Sequence, residues 1–248
     1  MTTIRRDSSP QVWYITIDEM LDDTLTNACL GLLSNHEKQR HARFHFARDR
    51  ALFLVSHAML RVVLSQYAAV SPRDWQFQTN RFGRPELSAS CADTGLRFNL
   101  THTRGMAACI VTKSMDCGID IEQLQRQSCM TDIARKMFSP SENLALEQAA
   151  DAQKSRLFYS LWTLKEAYVK ACGTGLTVST RDFSFDINNK KDIAVSFVAE
   201  SNDCPEQWYF SLYSPISQAV LATALRTKAT PTISYHSFST DQILGHLY

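Results

Sequence analysis

Two short segments concentrate the residues that could do chemistry. Residues 118–122 read Gly-Ile-Asp-Ile-Glu, and residues 162–170 read Trp-Thr-Leu-Lys-Glu-Ala-Tyr-Val-Lys. Side chains on a strand repeat with a period of two, so Asp120 and Glu122 face one way while Ile119 and Ile121 face the other. Four positions apart on a helix, Glu166 and Lys170 are neighbours on one face. Three carboxylates, two from a strand and one from a helix, suit a hard cation such as Mg²⁺, which prefers carboxylate oxygens and substrate phosphates. A lysine on the same helix face suits the phosphate charge left over. The combination points to phosphoryl chemistry on a strand-helix scaffold.

The elements needed to position these groups can be traced along the chain. Val12–Ile17 is β-branched and aromatic, a strand signal. From Arg48 to Tyr67 apolar residues recur at helical spacing, which predicts a long amphipathic helix. Trp75–Gln78 reads as a strand leading into a turn at Asn80–Pro85. Arg97–Leu100 and Met106–Thr112 read as strands flanking a loop that carries Thr101, His102 and Thr103, and Cys117–Glu122 reads as the next strand. Ser139-Pro140-Ser141-Glu142 fits a capping box. Ser155–Cys172 is a helix with Gly173 as its C-cap. Phe183–Ile187, Ala194–Val198, Trp208–Tyr213 and Ala219–Ala224 then alternate like an antiparallel meander, with Asn188-Asn189 in a turn. The order of strands and helices repeats coarsely, which predicts an α+β protein of two similar halves, residues 1–114 and 115–248.

Composition excludes several classes. With 248 residues and 44% hydrophobic content the chain can bury a substantial core. A net charge of +1 argues against a nucleic-acid binder that relies on bulk positive charge. No run approaches the roughly 18 apolar residues of a membrane span. The opening Met1–Pro10 has no apolar stretch of the secretory kind. Seven scattered cysteines without a framework spacing read as reduced thiols. The expectation is a cytoplasmic protein with no nucleic-acid or membrane partner.

Five stretches in register resemble the 4′-phosphopantetheinyl transferases, in the Sfp-type subclass. Residues 118–122 and 162–170 resemble the two signature motifs. Phe98-Asn99-Leu100-Thr101-His102-Thr103 resembles the family's Phe-Asn-Ile-Ser-His-Ser stretch, with threonines for serines. Gly83-Arg84-Pro85 resembles its Gly-Lys-Pro turn, and Arg40, Arg43-Phe44 and Arg48-Asp49 its basic N-terminal segment. The resemblance runs from about residue 37 to 176. It implies a pseudo-two-fold pair of α+β halves with the site between them, usually monomeric. It also implies transfer of the phosphopantetheine arm of coenzyme A to a serine of an acyl, peptidyl or aryl carrier protein, with release of adenosine 3′,5′-bisphosphate. That is the activity of a holo-[acyl-carrier-protein] synthase.

Carried over residue by residue, the resemblance makes Asp120, Glu122 and Glu166 the Mg²⁺ ligands. It assigns coenzyme A to Arg40, Thr79, Asn80, Arg81, Phe82, Gly83, Arg84, Asn99, Leu100, Thr101, His102, Asp120, Glu166 and Lys170. His102 with its flanking threonines meets the 3′-phosphate, and Arg81 and Arg84 grip adenine and phosphate. The remaining basic residues Lys38, Arg43, Arg48 and Arg50 read as a solvated helix face. Glu166 and Lys170 are the catalytic pair. Glu142 is a rival general base and equally the N3 carboxylate of its capping box. Phe158, Trp162 and Tyr168, at helical spacing, read as core. A metal-dependent nuclease or phosphohydrolase would use similar groups, but its usual Glu-x-Lys arrangement is missing, since Lys165 directly precedes Glu166. A non-catalytic relic of the fold would be expected to have lost a carboxylate, and none is lost.

Overall fold

The computed structural model describes residues 8–124, 130–175, 178–188, 192–199, 201 and 203–246. The N-terminal Met1–Asp7, Cys129 and the turn residue Asn189 lie outside that set. The chain divides into two units. One comprises Met1–Thr79, Pro85–Ser114 and Thr232–Tyr248, the other Asn80–Arg84 and Met115–Pro231.

In the first unit β1 (Gln11–Thr16) is followed by α1 (Asp23–Leu32), α2 (Asn35–His41) and α3 (Ala47–Leu64). A short hairpin, β2 (Phe77–Thr79) and β3 (Pro85–Leu87), precedes the longer pair β4 (Leu96–Thr103) and β5 (Met106–Lys113). The main sheet has the order β11-β1-β5-β4, where β11 is Ser234–Ser237. Helix α3 buries Leu54, Val55, Ala58, Met59 and Val62 against Trp13, Ile15, Phe98, Cys109 and Val111 of that sheet. The expected long helix is therefore α3. The stretches from Asp23 to His41, unassigned from the sequence pattern, form two further helices, each with a side-chain N-cap from Asp22 or Ser34.

The boundaries also depart from expectation at His102. Met106 pairs with Thr103 and Ala107 with His102, so these residues continue β4 rather than forming a loop. The turn is only Arg104-Gly105, and Gly105 at φ +67° supplies the left-handed backbone that so tight a reversal needs. The C-terminal boundary moves as well. Residues 232–248 return to the first unit because β11 pairs in parallel with β1, Val12 opposite Tyr235 and Trp13 opposite His236.

In the second unit β6 (Cys117–Gln123) is followed by α4 (Met130–Met137), α5 (Pro140–Gln148) and α6 (Asp151–Cys172). The strands β7 (Phe183–Asp186) and β8 (Ala194–Phe197) form their own hairpin. A separate three-stranded sheet has the order β6-β10-β9, with β9 at Trp208–Tyr213 and β10 at Ala219–Arg226. The four strands expected as one meander are thus split between two sheets, because β10 takes β6 as its second partner. Helix α6 ends at Gly173, φ +67°, as its C-cap. Ala167 and Ala171 of α6 belong to the same core as Ala222 and Ala224 of β10. Phe158 and Tyr168 are buried in that core and Trp162 packs against it.

The contact between β6 and α6 is closer than side chains normally permit. A Cβ added at Gly118 would lie 2.0 Å from the Ala167 carbonyl oxygen and 2.6 Å from the Ala171 nitrogen, both backbone atoms. Overpacking of this kind costs about 1–3 kcal/mol, and rigid helix backbone places Gly118→Ala at the upper end or beyond. Urea unfolding of Gly118→Ala is therefore expected to show a midpoint well below wild type. An unchanged midpoint would mean that α6 can retreat without cost.

In the first unit Glu37 closes a capping box with Ser34 and accepts hydrogen bonds from Nδ1 of His57 at 2.9 Å and Nη2 of Arg61 at 2.5 Å. Arg61 is itself buried and donates to the carbonyls of Pro72 and Trp75. Burial raises the Glu37 carboxyl, but the His57 and Arg61 hydrogen bonds and the guanidinium charge outweigh it and hold the pKa at about 2. A carboxyl depressed on folding stabilises above its unfolded pKa of 4.5 and loses that contribution as pH falls towards 2. The linkage amounts to about 3 kcal/mol. Acid titration of stability should accordingly be steep between those values in wild type and shallower in Glu37→Gln; equal slopes would assign the acid sensitivity to other carboxylates.

Candidate active site

Asp120 lies at the middle of β6, buried, opposite Ala222 of β10. Gly118, Asp120 and Glu122 share the face that the close approach at Gly118 turns towards α6, while Ile119 and Ile121 are buried on the other. On α6, Ala167 and Ala171 make the contact with β6, and Glu166 and Lys170 sit one position before them, at its edge. Both are half-buried. Across this edge Nζ of Lys170 donates to Oδ1 of Asp120 at 2.6 Å.

Burial raises the Glu166 carboxyl above its ordinary range, the neighbouring Asp120 charge raises it further, and Lys170 offsets only part of this. Two carboxylates are thus crowded beside one ammonium, and all the oxygens are hard donors. That chemistry fits a divalent cation. Among the described residues, however, no group of three or more His, Cys, Asp and Glu side chains is gathered closely enough to hold a metal ion. Glu122 shares the strand face and is half-buried. The site is a carboxylate pair with a lysine.

Lys165, ambiguous in the sequence, is a structural residue. It is buried, with Nζ 2.8 Å from Oε2 of Glu142 and donating to the carbonyls of Thr180 at 2.6 Å and Phe183 at 2.7 Å. The ammonium also lies 4.3 Å from the centre of the Phe183 ring. Burial lowers its pKa, and the Glu142 charge and hydrogen bond oppose that. Glu142 accepts from the Ser139 nitrogen and from the Phe185 nitrogen as well. The carboxylate offered as a rival base is therefore enclosed by α5, α6 and β7, and the capping reading accounts for it. Only the capping box was legible in the sequence; Lys165 was ambiguous there because its partner is remote in the chain.

Arg84 and Asn80 also differ from expectation. Arg84 donates from Nη1 to the Ala171 carbonyl and from Nη2 to the Cys117 carbonyl, both at 3.0 Å. Asn80 donates to the Gly173 carbonyl at 3.0 Å, while its Oδ1 accepts from the Phe82 and Arg84 nitrogens. Together they satisfy carbonyls at the end of α6 and the start of β6, where helix termini leave acceptors exposed. The Arg84 guanidinium thus ties together the two elements that carry the carboxylates, a use that competes with gripping a phosphate. Arg81 and Phe82 remain exposed, with the guanidinium 4.6 Å above the ring, and Gly83 turns the backbone at φ +85°.

In the first unit Thr79 is exposed at the end of β2. Arg40 is exposed on α2, its guanidinium 5.4 Å from the Phe53 ring centre. The stretch Asn99–His102 alternates along β4. Asn99 and Thr101 are buried on one face, whereas Leu100 packs against the core with Phe98 and His102 follows them, exposed near the strand end. Four consecutive strand residues cannot all present side chains to one ligand, so the Leu100 side chain serves packing.

A family model described as the 4′-phosphopantetheinyl transferase superfamily matches residues 116–224, the segment that includes β6, α6 and the carboxylates. A second, described as the N-terminal region of 4′-phosphopantetheinyl transferase, matches residues 22–114. The chain is 34% identical over 165 residues to the 4′-phosphopantetheinyl transferase HetI of a Nostoc species, covering 66% of this chain and 69% of HetI. It is 24% identical over 194 residues to the transferase Sfp of Bacillus subtilis, covering 78% of this chain and 84% of Sfp. A crystal structure of holo-[acyl-carrier-protein] synthase from Thermotoga maritima aligns with a TM-score of 0.39 at 22% identity, over 46% of this chain and 65% of that one. The chain belongs to the 4′-phosphopantetheinyl transferase superfamily, in its Sfp type.

Breaking a buried ion pair by removing one partner costs about 3–5 kcal/mol, because the other charge is left buried alone. Lys165→Met and Glu142→Gln should each lower the urea midpoint, and the double variant should recover much of the loss. If Glu142 were instead the base, Glu142→Gln would keep wild-type stability and lose turnover alone.

Proposed function

We propose that this enzyme transfers the 4′-phosphopantetheine group of coenzyme A to a serine of an apo carrier protein, giving the holo carrier and adenosine 3′,5′-bisphosphate, the reaction of a holo-[acyl-carrier-protein] synthase. The observation that carries the reading is the Asp120–Lys170 contact with Glu166 beside it, on the strand and helix of the matched superfamily segment. The Nostoc and Bacillus relatives support the reaction class.

The serine oxygen forms a bond to the phosphorus of the phosphopantetheine. The bond from that phosphorus to the bridging diphosphate oxygen breaks, and its electron pair leaves with adenosine 3′,5′-bisphosphate. Glu166 takes the serine proton. Lys170 offsets the charge that develops on the leaving diphosphate oxygen. Asp120, Glu166 and, once drawn in, Glu122 would hold Mg²⁺, which when bound neutralises diphosphate charge. Arg40, Thr79, Asn80, Arg81, Phe82, Gly83 and His102 make up the remaining coenzyme A contacts in this reading; the side chains of Asn99 and Thr101, buried on the face of β4 opposite to His102, are left out of it. Arg84 acts indirectly in this reading, by holding β6 to α6. His102, exposed at the end of β4, meets the 3′-phosphate.

No helix among the described residues is long and apolar enough to cross a membrane, and Cys29, Cys91, Cys172 and Cys204 carry free thiols. The free thiols fit the cytoplasmic enzyme of this reading, which takes it to act as a monomer.

The test is a panel of apo acyl and peptidyl carrier proteins incubated with the enzyme, Mg²⁺ and coenzyme A. A carrier serine should gain the mass of phosphopantetheine, and excess chelator should stop it. Asp120→Ala should lose at least about 10²–10³ in rate, the loss expected when a group stabilising transition-state charge is removed. A fully active Asp120→Ala variant, or release of phosphate from coenzyme A without a carrier, would overturn the assignment.

A further inference from the structure

The Lys170–Asp120 contact poses a conflict. In the reading above Lys170 is needed at the diphosphate and Asp120 at the cation, yet the two are bonded to each other at 2.6 Å. The bond occupies Oδ1 of Asp120, and an ammonium held at that carboxylate repels a divalent cation that would bind the same group. The lysine has the reach to choose. Its side chain is 28% exposed whereas that of Asp120 is 7% exposed, and four flexible methylenes let the head move while the carboxylate stays. Asp120 is fixed in the middle of a strand paired with β10, and α6 is held against that strand at Gly118 and by Arg84. The movable member of the pair is therefore Lys170.

The charge balance points the same way. The carboxylates of Asp120 and Glu166 have one ammonium nearby, that of Lys170, which is bonded to Asp120 at 2.6 Å and lies one turn after Glu166 on α6. Removing that ammonium without a substitute would leave buried carboxylates uncompensated, which is costly. Coenzyme A and a cation arriving together remove the difficulty. The diphosphate takes the ammonium, and the cation takes the carboxylates.

We infer that Lys170 is a latch that occupies the cation position on Asp120 in the substrate-free enzyme, so that coenzyme A, by drawing Lys170 to its diphosphate, makes Asp120 available to the metal. The inference rests on the transferase reading of this site and adds an order to it: cation binding is weak until coenzyme A is bound, and each ligand tightens the other by the same factor. A ligand shifts an equilibrium only by interacting differently with its two states, and here one side chain supplies the difference: Nζ leaves Asp120 as it meets the diphosphate.

Mn²⁺ binding, read from the electron paramagnetic resonance signal of the unbound ion, tests the latch without turnover. Wild type should bind Mn²⁺ weakly alone and about tenfold or more tightly with coenzyme A present. Lys170→Met should bind Mn²⁺ alone at least about tenfold more tightly than wild type, with little further gain from coenzyme A. Lys170→Arg, which keeps a cation of similar reach, should bind Mn²⁺ alone as weakly as wild type, and Asp120→Asn should bind it poorly throughout. Circular dichroism of each variant reports whether the fold is retained, and Lys170→Gln replaces Lys170→Met if it is not. The latch is overturned if Lys170→Met binds Mn²⁺ no better than wild type, or if coenzyme A tightens Mn²⁺ equally in both. A wild type that binds no Mn²⁺ even with coenzyme A would overturn the metal reading itself, and the latch with it.

Discussion

The closeness of α6 to β6 at Gly118 is the constraint on which the rest of the site depends. Where a strand and a helix meet backbone to backbone, the distance between them is set by main-chain atoms and not by the length of intervening side chains. Ala167 and Ala171 on the helix and Gly118 on the strand leave no room for anything larger, and Ala222 and Ala224 pack into the same core from the next strand. The groups proposed to do the chemistry lie at the rim of this seam. Asp120 is one pleat beyond Gly118, and Glu166 and Lys170 each precede a seam alanine by one position, about 100° round the helix. Any residue that pushed the helix outward would separate Lys170 from Asp120 and open the core at Ala167 and Ala171 together.

A second device holds the same helix from its other side, and the first unit repeats it. In each unit a short helix begins with Ser-x-x-Glu, and the glutamate that closes the capping box also binds a buried cation on the longest helix, Arg61 on α3 or Lys165 on α6. One carboxylate thereby satisfies a helix start and fixes a helix-to-helix contact. Removing either partner leaves a buried charge, which makes both pairs hard to lose once acquired. The two cations differ, and the flanking residues share little. What recurs is a physical arrangement, and only the Ser-x-x-Glu half of it is visible as a pattern.

The sequence was most legible where a local rule decides the structure. The alternation of residues 118–122, the helical spacing around Arg48–Tyr67, the capping box at Ser139 and the C-cap at Gly173 depend on neighbours in the chain, and each was read from the chain. It was least legible where a partner is remote. That His102 lies on a strand follows from Ala107 pairing opposite it, which the threonines beside it do not announce. The return of Ser234–Ser237 to β1 spans nearly the whole chain. Arg84 resembles a phosphate-gripping residue in every local respect, and only the carbonyls of Ala171 and Cys117 show its other use. Lys165 and Glu166 are adjacent in sequence, but on a helix adjacency means different faces, so one is enclosed in the core and the other reaches the site.

Net charge explains why so few groups carry the burden of recognition. At +1 overall the chain has no broad positive field to draw in a ligand with three phosphates. Attraction must then come from cations close to each phosphate, within the roughly 8 Å over which charges remain unscreened at physiological salt. Under that condition an ammonium already held by a carboxylate is not wasted. It is kept partly out of water and oriented, and in the proposed exchange it would pass from carboxylate to diphosphate without first being stripped of a full hydration shell. In the proposed exchange a cation would replace it on Asp120, so that the buried carboxylate is not left without a counter-charge.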